Sequence, residues 1–214
     1  MKRVVVIGIG IFGFNLVKEL YKSGIEVIAI DKNKDVVQEI AEFATKAIVS
    51  DGLEKHILES LGLRENDVVV VSFGEDLAAS TLITLHLKQL KIRNIIVKAP
   101  NVEYKQVLES VGATEVIIPE KEMASKVAKS LITPNILDYI PLAEDYIIGE
   151  IAPPVAFHGK TLAEVHLRSK HNINAIAIRD TLTDTIRMVP HNYVIKDSEI
   201  LVVIGKSKDI DGLQ

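Results

Sequence analysis

The chain has 214 residues, 48% of them hydrophobic and 25% charged, enough to bury a sizeable core in one or two domains. Twenty-five Lys and Arg stand against 29 Asp and Glu, a net charge of −4. That argues against nucleic acid as a partner, because non-specific binding to it needs a basic surface. Cysteine is absent, which excludes disulfides, thiolate metal sites and a cysteine nucleophile, and fits a reducing cytosol.

In chain order, short apolar runs predict strands at 3–8, 25–30, 46–50, 67–72, 94–98 and 115–118. Amphipathic stretches between them predict helices at 12–23, 33–43, 53–61, 76–90 and 102–111, with a further helix at 120–131. The strand runs are β-branched and apolar on both faces (Val4-Val5-Val6-Ile7, Val68–Val71, Ile95-Ile96-Val97). A parallel sheet covered by helices on each side reads this way. Repeated strand–helix–strand units give a doubly wound α/β fold. This first domain is expected over 1–132.

The rhythm changes after Ser130. Thr133-Pro134-Asn135 breaks the helix pattern, and Pro141 and the Pro153-Pro154 pair follow, so 132–142 reads as a linker. A small α+β domain is expected over 140–214, with strands at 146–151, 174–179, 185–189 and 199–204 and a helix at 161–168.

No stretch reads as a membrane span. The most apolar run, 4–17, is short, carries Asn15 and is interrupted by three glycines. Met1-Lys2-Arg3 before Val4–Ile7 has a faint look of a signal peptide, but no small-residue cleavage site follows. The expectation is a chain that begins in the cytosol with its first strand.

Gly8-Ile9-Gly10-Ile11-Phe12-Gly13 fits G-x-G-x-x-G between a strand and a helix. Gly8 allows the tight turn, Gly10 lets backbone approach a phosphate and Gly13 lets the helix pack close to the sheet. The helix start then offers N–H groups to an anion. Asp31 ends the second strand 18 residues past Gly13, where a carboxylate would meet ribose hydroxyls and repel a 2′-phosphate. That favours NAD or an unphosphorylated ribose, although Lys32 beside it weakens the discrimination. The plainer alternative is a tight turn with Asp31 as a helix-start residue. Two further strand ends place Asp51-Gly52 and Ser72-Phe73-Gly74 at the same edge of the sheet. Asp51 would either accept from an adenine amino group or cap a helix starting near Leu53.

A nicotinamide oxidoreductase would need a proton donor or acceptor beside a substrate pocket. His56 and His86 fall in helices among charged residues and read as solvated; His158, His166, His171 and His191 show no metal-site spacing. No Ser–His–Asp, H-E-x-x-H or Y-x-x-x-K pattern is found, and the second domain is small for a substrate domain. These absences point to a sensor with no catalytic residues. A soluble NAD-dependent oxidoreductase with a small substrate domain is the alternative.

The segments VVVIGIGIFGFNLVKELYKSGIEVIAID, STLITLHLKQLKIRNIIVKA, VLESVGATEVIIPEKEMA and LRSKHNINAIAI, in this order, resemble the KtrA/TrkA-type RCK-domain regulatory subunits of bacterial potassium transporters. The resemblance covers nearly the whole chain. It implies a Rossmann-like, dimerising RCK N-domain and a small α+β RCK C-domain that dimerises separately. It further implies an octameric ring docked on an integral-membrane potassium-translocating subunit of the KtrB/TrkH type. The chain would then be cytoplasmic and peripheral on the inner face of the membrane. Adenine nucleotide, ATP/ADP or NAD/NADH, would bind the N-domain and gate potassium flux, with no bond made or broken. An orphan RCK-like protein gating a different channel is a weaker form of the same resemblance.

The residues this assigns to the nucleotide are Gly8, Ile9, Gly10, Ile11, Phe12, Gly13, Asp31, Lys32, Asp51, Gly52, Ser72, Phe73, Gly74 and Lys98. One departure stands out. KtrA-type proteins usually carry Arg at the position of Ile11, reaching the terminal phosphate of ATP. Here Lys32, Lys98 or a neighbouring subunit would have to supply that charge. Glu120 matches a carboxylate that in KtrA proteins helps hold a divalent or sodium cation near the phosphates; alternatively it faces a helix dipole. Arg168, Ile173, Asn174 and Pro190 resemble a cyclic di-AMP site in the C-domain, with Arg168 pairing a phosphate and Pro190 lying against adenine. Read plainly, Arg168 is a solvated cation, Asn174 a strand-entry residue and Pro190 a turn former.

Overall fold

The computed structural model describes residues 3–133, 135–190 and 192–213. Pro134 and His191, both noted in the sequence, lie outside the described residues, as do Met1 and Lys2. The chain divides into two compact units, Met1–Glu122 and Met123–Gln214.

The first unit alternates strand and helix: β1 (Arg3–Ile7), α1 (Ile11–Lys22), β2 (Glu26–Asp31), α2 (Lys34–Ile40), β3 (Lys46–Val49) and α3 (Lys55–Ser60). Then come β4 (Val68–Val71), α4 (Leu77–Gln89), β5 (Asn94–Lys98), α5 (Val102–Val111), β6 (Glu115–Ile117) and the start of α6 (Pro119–Ile132). Most bounds fall within two residues of those expected. The second helix is shorter, ending at Ile40 and tightening into a 3-10 turn at Ala41–Phe43.

The six strands are all parallel, in the order β3-β2-β1-β4-β5-β6. The chain winds outward from β1 to one edge, then returns to β4 and winds to the other. Strand alternation sorts the core. Val5, Ile7, Val69 and Val71 join Leu58, Ile83, Leu87 and Leu108 from α3, α4 and α5. Val4, Val6, Val27 and Ala29 join Val17 and Ile40 from α1 and α2. The inner strands β1, β2 and β4 are thus buried on both faces, which is why β1 and β4 read as unbroken Val and Ile, whereas the edge strand β3 is only partly covered. At the amino edge Arg3 pairs with the buried Asp67, which also accepts from the Arg64 N–H at 2.7 Å.

The second unit holds an antiparallel sheet, β10-β9-β11-β8-β7. Its elements are β7 (Ile136–Pro141), β8 (Tyr146–Ile151), α7 (Leu162–Val165), α8 (Leu167–His171), β9 (Asn174–Asp180), β10 (Thr185–Met188), β11 (Glu199–Lys206) and α9 (Ser207–Asp211). β7 lies inside the stretch 132–142 expected as a linker, and it joins the second sheet ahead of the domain start expected at 140. It is an edge strand, so it tolerates Pro141 and a register shift between Ile136 and Asp138. α6 also runs across the division between the units rather than ending the first. The helix expected at 161–168 is two, α7 and α8, broken where His166 takes a left-handed conformation (φ 54°). Asn172 (φ 55°) ends α8 in the same way.

Candidate functional site

The candidate site is the carboxyl edge of the parallel sheet beside the point where its winding reverses, the usual place for ligands in such sheets. Between β1 and α1 the glycine loop is held by packing at both ends. Gly8 has φ 91°, and a Cβ there would lie 2.9 Å from the Ser72 carbonyl oxygen. A Cβ at Gly13 would lie 2.2 Å from the Gly8 carbonyl oxygen, so α1 rests directly on the loop. A Cβ at Gly10 would meet nothing within 4 Å. The middle of the loop is therefore open.

The start of α1 has no side-chain cap and no acid in its first turn. Three neighbours differ: Asn33 caps α2, Asp76 caps α4 and Asn101 caps α5, each accepting from a first-turn N–H at 2.9 Å. The first N–H groups of α1, with the positive end of its dipole, are what an anion would meet. Ile11 is 89% exposed and presents only hydrocarbon there.

Asp31 closes the loop from the neighbouring strand. Its Oδ2 accepts from the Ile9 N–H at 2.6 Å and its Oδ1 from the Asn33 N–H at 2.8 Å. Asn33, not Asp31, caps α2. Each carboxylate oxygen keeps further acceptor capacity for a hydroxyl donor.

Asp51 is a partial correction. Its Oδ1 accepts from the Leu53 N–H at 3.0 Å, but the helix starts at Lys55, so Asp51 closes a turn ahead of α3 rather than capping it. Gly52, at φ 69°, lets that turn press on β1: a Cβ there would be 2.9 Å from Ile7 Cγ2. The Ser72 N–H donates to the Ile7 carbonyl at 2.8 Å, and Phe73 lies against Gly8.

Register aligns these residues. Ile7 is level with Ile30 and Val71, and Val71 with Val97. Asp31, Gly8, Ser72 and Lys98, each one residue further on, therefore form a row across β2, β1, β4 and β5. Strands about 4.8 Å apart make that row about 14 Å long. Lys98 Nζ lies 2.5 Å from Glu120 Oε1 at the head of α6. The hydrogen bond from Lys98 holds the Glu120 carboxyl below its ordinary value, helped by its own backbone N–H. Lys32, exposed, follows Asp31 at the opposite end of the row. Among the described residues no three His, Asp or Glu side chains gather into a metal-sized group. A cation at Glu120 would need its other ligands from a nucleotide or another chain.

In the second unit a cavity of about 350 Å³ is lined by Leu162, His166, Arg168, Ser169, Ile173, Asn174 and Val189, among others. It brings Arg168, Ile173 and Asn174 together, with Ile173 fully buried. Pro190 is not in its lining and follows Val189. His166, to which the sequence assigns no role, is also in the lining; its left-handed backbone leaves no composition signal. His86 was expected in solvent, but its Nδ1 is buried without a hydrogen-bond partner among the described residues.

Residues 4–119 match the TrkA-N domain and residues 150–214 the TrkA-C domain. The chain belongs to the TrkA/Ktr family. Ktr system potassium uptake proteins A and C of Bacillus subtilis (strain 168) are 39% and 38% identical to this TrkA/Ktr chain over 209 residues, 98% of it and 94% of each relative. Ktr system potassium uptake protein A of Vibrio alginolyticus is 30% identical over 204 residues, 95% of this chain and 92% of the relative. Among solved structures, the GsuK RCK domain superposes with a TM-score of 0.66 at 16% identity, covering 99% of this chain and 46% of that one. The GsuK channel bound to NAD gives 0.63 at 16% identity, covering 97% and 38%. The TrkA/Ktr chain shares their fold and spans less than half of their length. No helix among its described residues is long and apolar enough to cross a membrane.

Proposed function

We propose that this chain is a ligand-sensing regulatory subunit of a potassium uptake transporter, binding adenine nucleotide at the carboxyl edge of its first unit. One observation carries the binding half: the glycine loop leaves the start of α1 open and uncapped while the Asp31 carboxylate is held to the same loop at the Ile9 N–H. The relatives' names, potassium uptake proteins of the Ktr system, support the transport half.

The row from Asp31 to Lys98 suggests how a nucleotide lies. Ribose hydroxyls donate to Asp31, with the adenine toward Asp51 and Gly52. The phosphates pass over Gly10 to the N–H groups of α1, and the outer phosphates point toward Lys98. This favours ATP or ADP, while NAD or NADH fits the same edge. No bond changes; the ligand acts by binding one conformation of the assembly better than another. The assembly is a homo-octameric ring on the cytoplasmic face of an integral-membrane potassium-translocating subunit of the KtrB/TrkH type. Exposed apolar side chains on α4 (Leu82, Leu85) and α6 (Met123, Val127, Leu131) support subunit contacts. Glu120 takes a divalent or sodium cation together with the phosphates. In the second unit, cyclic di-AMP is assigned to a two-fold interface at Arg168, Ile173, Asn174 and Pro190; the cavity that brings the first three together supports this.

The test is calorimetry with ATP, ADP and NADH, followed by potassium flux through vesicles holding the pore subunit with this chain. Nucleotide-dependent flux is the expected result. Turnover of NADH with carbonyl substrates and no effect on flux would replace this reading with an oxidoreductase.

A further inference from the structure

Lys98 is 16% exposed and its partner Glu120 is 65% exposed. The two ends of this pair are not equally dependent on it. A largely buried ammonium needs an anion beside it. A carboxylate in the first turn of α6 already has the helix dipole, a backbone N–H and water.

Lys98 also stands level with Gly8, two strands away, so about 10 Å separates their backbones. A four-carbon stem and a chain of phosphates cover such a gap between them. Ile11 brings no charge to those phosphates, and Lys32 lies beyond Asp31, at the ribose end of the row. Lys98 is thus the cation of the row at its phosphate end. A carboxylate and a phosphate drawn to one ammonium would sit in contact and repel each other.

We infer that Glu120 competes with the outer phosphates of the nucleotide for Lys98, so that binding a nucleoside triphosphate frees the carboxylate at the head of α6. This rests on the nucleotide reading above and adds to it a direction. Glu120 opposes the phosphates when no cation is present. A carboxylate that serves only as a cation ligand would be indifferent there.

Calorimetry of the full chain with ATP and with AMP, in EDTA, separates these. Because Glu120 is exposed, its pair is of the weaker kind, and Glu120→Gln raises the ATP-to-AMP affinity ratio about two- to fivefold. Lys98→Met lowers that ratio about tenfold or more, and Glu120→Gln adds nothing on the Lys98→Met background. Lys98→Arg keeps the charge, and with it the effect of Glu120→Gln, which guards against a variant that simply folds badly. An unchanged or lowered ratio for Glu120→Gln in EDTA, or a gain that survives Lys98→Met, overturns the competition. Wild-type protein that binds neither ATP nor AMP overturns the nucleotide reading itself.

Discussion

Gly10 and Gly13 lie three residues apart in one loop, and alanine at each should fail differently. At Gly13 the new Cβ would lie 2.2 Å from a backbone oxygen, more than 1 Å inside the 3.4 Å at which ordinary contact begins. The oxygen belongs to Gly8, itself pressed against Ser72, so neither side yields without moving α1. Overpacking of this kind costs about 1–3 kcal/mol. A clash this close with backbone belongs in the upper half of that range, and alanine recovers up to about 1 kcal/mol of helix propensity inside α1, leaving a net loss of about 1–3 kcal/mol. The displaced helix start should also lose nucleotide.

At Gly10 the Cβ would meet open space. Loss of an N-cap glycine costs a few tenths of a kcal/mol or more, and stiffening the unfolded chain returns about 0.4–1 kcal/mol. Stability should therefore stay within about 0.5 kcal/mol of wild type. Affinity should fall about tenfold or more, because the methyl stands where a phosphate approaches backbone. Guanidinium denaturation and calorimetry on the same preparations read both quantities. A Gly13→Ala protein as stable as wild type, or a Gly10→Ala protein that unfolds early yet binds normally, would refute the division of labour within the loop.

Asp31→Ala should lower nucleotide affinity at least about tenfold, since bonds to a charged acceptor are worth about 1.5–3 kcal/mol each; unchanged affinity in a folded variant ends the ribose assignment. For Asp67, burial alone would raise the carboxyl, but bonds from Arg3 and the Arg64 N–H, with Arg3's charge, outweigh it and hold it below its ordinary value. That stabilisation is complete above the unfolded value near about pH 4 and fades as pH falls through the folded value. The stability gap between wild type and Arg3→Met should thus be wider at pH 7 than at pH 3, and equal gaps in denaturation midpoints would count against it. Arg168→Ala should abolish or sharply weaken cyclic di-AMP binding by the full chain; retained affinity, or a wild type that binds none at high micromolar ligand, removes that ligand from the cavity.

The middle of the sheet was legible because burial on both faces leaves short runs of β-branched Val and Ile, whose length and flanking turn residues mark them as strands. The glycine loop was legible because backbone contacts at Gly8 and Gly13 admit no side chain. β7 was hidden for the opposite reason: an edge strand needs no unbroken apolar run, and Pro141 at its end, with Pro134 just before it in the sequence, imitates a linker. The break between α7 and α8 turns on left-handed His166, a conformation usually left to glycine, so nothing in the residue type announced it. Lys98 with Glu120, and the row from Asp31 to Lys98, depend on strand register and on winding order. Register is a property of paired strands, and no single strand carries it in its own sequence.

Ile11 stands almost wholly in solvent at the first residue of α1 and supports nothing in either core cluster. Gly13, two places on, cannot change without moving the helix. The loop thus keeps what the fold requires and what the ligand encounters on separate residues. A lineage can exchange an apolar side chain for a charged one at position 11, and retune which phosphates are welcome, while the domain folds as before. Position 11 is a place where selectivity can drift freely, and position 13 is one where it cannot.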